Sequence, residues 1–144
     1  MKENVSIDIK STQSSEEGRD TVEMFTVGTM DSDKNGGYQL SYEESGATGF
    51  PGDVVVLNVS GDTVVMNRMS GGKKAVSANL VIERGKRHHC YYGTPYGEFM
   101  VGITANDIRS DIGDNGGSVF LRYTVDINSG FIYENELQIN VRKN

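Results

Sequence analysis

Apolar and polar residues alternate with period two along most of the chain, and Gly, Asn, Asp and Ser break the alternation roughly every eight to twelve residues. Strands with one face in a core and one in water produce this pattern, and no segment carries a competing helical period. Val5, Ile7 and Ile9 alternate with Ser6, Asp8 and Lys10. After a polar turn from Ser14 to Asp20, Val22 to Met30 forms a second, less cleanly patterned strand. Tyr38, Leu40 and Tyr42 then stand opposite Gln39, Ser41 and Glu43. Asp53 to Ser60 and Thr63 to Met69 are joined by Gly61-Asp62, whose leading glycine suits a tight hairpin with positive φ. Strands follow at Asn79 to Arg84 and His88 to Tyr92, separated by Gly85-Lys86-Arg87, and Gly93-Thr94-Pro95-Tyr96-Gly97 forces a bend. Phe99, Val101 and Ile103 mark the next strand, and Ile108 and Ile112 a short, weaker one. Val119 to Ile127 and Phe131 to Val141 are the clearest pair, with Phe131, Tyr133, Leu137, Ile139 and Val141 sharing parity beyond the Asn128-Ser129-Gly130 turn.

About ten strands with no helices to cover a parallel sheet predict an all-β fold, an antiparallel meander closed into a barrel by a single domain over residues 1–144. Closure also removes the edge strands that invite aggregation. Side chains roughly fill an eight-stranded barrel, so ten strands imply either a cavity or a compensating set of large inward residues. The net charge of −6 disfavours nucleic acid and anionic membrane surfaces. Cys90 is the only cysteine, which excludes an intrachain disulfide, and the first residues lack the apolar core of a signal peptide. No apolar run is long enough to span a bilayer, the longest being Val54-Val55-Val56-Leu57. A cytoplasmic protein is expected.

Three segments carry a family resemblance over nearly the whole chain: Tyr38 to Glu44, Leu80 to Gly97 ending in Thr-Pro-Tyr-Gly, and Leu121 to Val141 with Asn135-Glu136-Leu137. Through them the sequence resembles the uncharacterised Firmicutes family typified by the Bacillus protein YwiB, which implies a calycin-like (lipocalin-like) β-barrel and carries no established activity or site residue. Better-known calycins match poorly, since the chain has no tryptophan for a Gly-x-Trp motif. Ser14 to Asp20 is too short for the two helices of intracellular fatty-acid binders, and adjacent Arg122 and Tyr123 point to opposite faces.

Asp31-Ser32-Asp33-Lys34-Asn35-Gly36 matches the first half of a calcium loop, but Tyr42 occupies the twelfth position where a bidentate acid is required. A hairpin turn is the better reading, and Asp114-Asn115-Gly116-Gly117 repeats its chemistry. His88-His89-Cys90 holds the only imidazoles and the only thiol; His88 and Cys90 share a face, too few ligands for structural zinc without a third such as Asp107 or Asp111. Arg84, Lys86, Arg87, His88 and His89, followed by Tyr91, Tyr92 and Tyr96, form a basic and aromatic cluster suited to an anion or a stacked base, or simply to a solvated turn. No catalytic triad spacing and no phosphate-cradling loop is legible, so no enzyme, cofactor or metal is expected.

The expected function is binding of a small, largely apolar ligand inside the barrel, with Tyr38, Tyr42, Tyr123 and Tyr133 supplying polar contacts and Arg87, His88 and Tyr96 a second candidate group. The alternative is an interaction module with a filled barrel. Val54, Val55, Val56, Leu57 and Val59 make one strand apolar on both faces, which predicts a homodimer through the strand around Val55 and Leu57.

Overall fold

A computed structural model describes residues 2–32, 36–43, 53–69, 76–94 and 97–144. Ten strands, β1 (Glu3–Ser15), β2 (Gly18–Ser32), β3 (Tyr38–Glu43), β4 (Val54–Ser60), β5 (Thr63–Met69), β6 (Val76–Glu83), β7 (Arg87–Thr94), β8 (Gly97–Gly113), β9 (Gly116–Ile127) and β10 (Gly130–Lys143), run up and down in chain order. Every neighbour in sequence is a neighbour in the sheet, and β1 closes on β10 to complete an antiparallel barrel. The connections β1–β2, β3–β4, β5–β6, β7–β8 and β9–β10 therefore lie at one end, called the mouth, while the other four connections and both chain ends lie at the base.

Alternation sets the interior. Ladder partners share a face, so inward residues stack in rows across β3 to β6: Tyr38, Val59, Val64 and Ile82 near the base, then Leu40, Leu57, Met66 and Leu80, then Tyr42, Val55, Arg68 and Ala78 near the mouth. Leu40, Leu57, Ile82, Leu121 and Ile139 are fully buried. The middle of the barrel is thus filled by branched aliphatic side chains, the second of the two solutions open to ten strands, and space remains towards the mouth and, beside Tyr38 and Asp114, at the base.

The turns follow their residues. Gly61 takes φ +58° in the tight link between β4 and β5, as its position predicts. Between β9 and β10, Asn128 and Ser129 both adopt the left-handed conformation, and Asp126 Oδ1 accepts the Ser129 N–H at 3.1 Å. Residues 33–35 of the aspartate-rich turn lie outside the described residues, and Asp31 and Ser32 end β2.

Three sequence expectations need correction. The Val101 to Ile103 and Ile108 to Ile112 stretches are one strand, β8; a bulge between Ala105 and Asp107 reverses the parity, so one strand reads as two. A second bulge between Phe131 and Tyr133 turns Phe131 outward beside Asp126, where it is exposed, while Tyr133 points inward beside Val125. Ser14 to Asp20 is mostly strand, with the turn confined to Glu16 and Glu17. Its alternation is lost because both faces of the hairpin tip are polar, as at the facing pair Thr12 and Thr21.

Val55 and Leu57 are core residues. The outward positions of β4 are Val54, Val56 and Asn58, so any contact through this strand uses those side chains.

Candidate functional site

A cavity of about 200 Å³ opens at the mouth. Tyr42, Tyr123 and Tyr133 reach it, as the sequence anticipates, from β3, β9 and β10. Arg68 enters from β5, in register between Tyr42's neighbour Val55 and Ala78, and Ser11 and Gln13 continue the inward face of β1 beyond Ile9. Met24, Met66, Leu80 and Leu137 form an apolar floor. One wall carries a polar chain: Ser11 Oγ donates to Asn135 Oδ1 at 3.2 Å, and Asn135 Nδ2 donates to the Tyr123 hydroxyl at 2.9 Å. These are neutral groups that accept and donate, fixed by ladder register rather than by loops, which is a suitable frame for orienting a ligand.

A broader groove of about 450 Å³ lies on the outer wall between β10, β1 and β2, beside Asp8, Lys10, Glu23 and Phe25. It is a surface trough of solvated side chains without converging polar groups.

Tyr38 faces inward but at the base, where its hydroxyl donates to Asp114 Oδ1 at 3.2 Å, and desolvation, reinforced by the neighbouring carboxylate, raises its pKa. Arg87 and His88 stand elsewhere. Arg87 crosses the outer face of β8 and grips Asp126 with two bonds, Nη2 to Oδ1 at 2.5 Å and Nε to Oδ2 at 3.0 Å. Gly102 lies beneath the guanidinium, and any Cβ there would collide with it. The Arg87 bonds, helped by the Ser129 N–H, hold the Asp126 carboxyl below its usual range against the opposing effect of burial.

Arg84, Lys86 and His88 of the basic cluster are likewise matched by protein carboxylates. His88 Nε2 donates to Glu83 Oε1 at 2.9 Å, Lys86 sits 3.3 Å from the other oxygen, and Arg84 meets Asp62 at 3.0 Å. The His88 bond is the chief reason Glu83 titrates below its ordinary range. Cys90 is buried, its sulfur accepts the Val81 N–H at 3.3 Å, and burial raises its pKa, the reverse of what a nucleophilic thiol needs. Among the described residues no group of three His, Cys, Asp or Glu side chains could hold a metal ion. Tyr96 lies outside the described residues. Among the described residues no helix is long and apolar enough to cross a membrane.

The structure therefore gathers three of the seven proposed ligand residues at the mouth and places Tyr38, Arg87 and His88 elsewhere. The residues missed at the mouth were marked only by parity: Arg68 follows Val64 and Met66, and Asn135 stands between Tyr133 and Leu137.

A closed ten-stranded antiparallel meander with an open-mouthed interior defines a small β-barrel protein. The chain matches the model of a family described as a domain of unknown function (DUF1934) over residues 7–139, and it belongs to that family. Its fold is similar to the crystal structure of the ywiB protein from Bacillus subtilis, with a TM-score of 0.81 at 19% identity over 99% of this chain and 93% of that one. No curated protein matches the chain.

Proposed function

We propose that this protein binds a small molecule in the mouth of its barrel. The observation that carries this reading is the cavity of about 200 Å³ whose polar wall and apolar floor are both built on strands. Seven of its lining residues are polar: Ser11, Gln13, Tyr42, Arg68, Tyr123, Tyr133 and Asn135. The ligand is accordingly amphipathic rather than largely apolar, and the protein works as a carrier or sensor rather than by covalent chemistry.

A second reading, an interaction module, has its own observation. The outward positions of β3 to β6 from Gln39 to Val81 hold Val54, Val56, Val65 and Val81 among Asn, Gln, Ser, Thr and Met, with Glu43 at the mouth end of β3 as the charged outward strand residue among those described. The opposite wall carries Asp8–Arg142 and Arg122–Glu134 ion pairs. In a chain of net charge −6, two copies repel least through this sparsely charged face, so the partner it fits is a second copy of itself.

Native mass spectrometry of freshly purified protein tests both readings. The expected result is a non-covalent adduct of small mass that is released on denaturation, carried by a dimer that Val56→Lys converts to monomer with the adduct retained. Bare polypeptide in every preparation would count against the ligand, and a strict monomer at high concentration against the dimer.

A further inference from the structure

We infer that the barrel has a built-in line of opening, the seam between β6 and β7 below Asn79, along which these two strands part while the other ladders stay closed. It holds whether or not the mouth binds a ligand. The first ground is the pattern of pairing. Along every other seam the ladder covers most or all of the shorter strand. Between β4 and β5, for example, it runs from Val54–Met69 to Ser60–Thr63, and between β7 and β8 from Arg87–Thr104 to Thr94–Gly97. β6 and β7 have eight residues each, yet among the described residues they pair at Ala78–Tyr92 and Asn79–Tyr91, towards the mouth, and nowhere below. Closing a barrel removes free strand edges, but here two unladdered stretches, Leu80 to Glu83 and Arg87 to Cys90, face each other within the wall.

Side chains hold what the ladder does not. The Cys90 thiol stands in the gap, where its sulfur accepts the Val81 N–H at 3.3 Å and its S–H donates to the His88 carbonyl at 3.8 Å. Sulfur is a weak partner in both roles, so this contact is a poor substitute for N–H to carbonyl bonds. Nearer the base, His88 Nε2 donates to Glu83 Oε1 at 2.9 Å across the seam, and the Lys86 N–H closes the turn on the Glu83 carbonyl at 3.1 Å.

The far sides of both strands are firmly tied. β6 is laddered to β5 from Ala78 to Glu83, and β7 to β8 over its whole length. Arg84 fastens the end of β6 away from β7, with its backbone N–H and its Nε on Asp62 and its Nη2 on the Ile108 carbonyl. Each strand is therefore anchored to a neighbour other than its partner across the seam, so the two can part there with little loss elsewhere. Parting uncovers Leu80, Ile82 and Cys90, all buried in the closed barrel. Leu80 also lies on the floor of the mouth cavity, so the line runs from the base into that floor.

Cys90 is the only thiol of the chain and reports the opening directly. Its alkylation by iodoacetamide in the native protein is expected to run at least about a hundredfold faster than global unfolding allows. The rate should barely rise with urea below the unfolding transition, because parting one seam exposes little surface. Native-state amide exchange locates the opening. N–H groups alternate between neighbours along a strand, so Val81 faces β7 while Leu80 and Ile82 face β5. Val81 should exchange at least about a hundredfold faster than either of them. His88→Ala, which removes the bond to Glu83, should speed Cys90 alkylation about fivefold. Retained protection of Leu80 and Ile82 in that variant shows that it folds. Alkylation that follows the urea slope of global unfolding from the lowest concentrations, Val81 protection equal to that of Leu80 and Ile82, or a rate unmoved by His88→Ala overturns the inference.

Discussion

Replacing Gly28 by alanine is expected to destabilise the barrel by about 3 kcal/mol, the upper end of the ordinary cost of overpacking. Gly28 pairs with Tyr42 in the last rung between β2 and β3, a ladder that begins at Ser32 and Tyr38. A Cβ at Gly28 would fall on the carbonyl oxygen of Ser41, a backbone atom that no rotamer change can move. The two strands must separate there, and the separation opens the barrel wall between β2 and β3. Tyr42 belongs to that rung, so the displacement is transmitted to the mouth. Urea denaturation should show a lower midpoint with little change in slope. An unchanged midpoint would mean that β2 and β3 are not in this register.

The second large effect is expected at Asp126. This carboxylate is 8% exposed, holds the Arg87 guanidinium across β8, and caps the Ser129 N–H in a turn whose two non-glycine residues are left-handed. Asp126→Asn keeps the shape but removes the charge, leaving Arg87 beside Gly102 without its counterion. The melting temperature should fall by about 5 °C at neutral pH. The sign of the pH dependence follows from the depressed carboxyl. Its folded-state pKa lies below the unfolded value, so its contribution is complete above the ordinary carboxylate range and fades as pH falls through that range and below it. The gap between wild type and Asp126→Asn is therefore widest at neutral pH and closes in acid. A gap independent of pH would show that the loss comes from packing alone.

The fold was legible because the barrel wall is written in period two. Val5 to Ile9, Tyr38 to Tyr42, Val64 to Met66 and Val119 to Val125 each face the interior as their alternation requires. Where a bulge adds one residue, at Asn106 and Ile132, parity reverses, so Ile108 reads as the start of a separate strand and Phe131 reads as inward. Alternation alone does not register an inserted residue, because the count resumes on the other face. The site was half legible for a related reason. Parity places Tyr38 and Tyr42 on one face but says nothing of depth, and depth puts Tyr38 at the base beside Asp114 and Tyr42 at the mouth. Arg87 and His88 stand out as a cluster in sequence, yet Asp126, brought alongside by strand pairing, takes the Arg87 guanidinium, and Glu83 across the β6–β7 turn hydrogen-bonds His88. Arg68, alone among apolar neighbours, carried no sequence signal beyond its parity.

Methionine methyl NMR tests the central claim, a ligand site at the mouth, most directly. Met24 and Met66 line the cavity, Met30 is buried towards the base, and Met100 is exposed on the outer wall. On titration with octanol or octanoate, the Met24 and Met66 methyl resonances should shift together and saturate while Met30 and Met100 hold their positions. Stationary Met24 and Met66 signals with either compound, or a shift confined to Met100, would contradict the account.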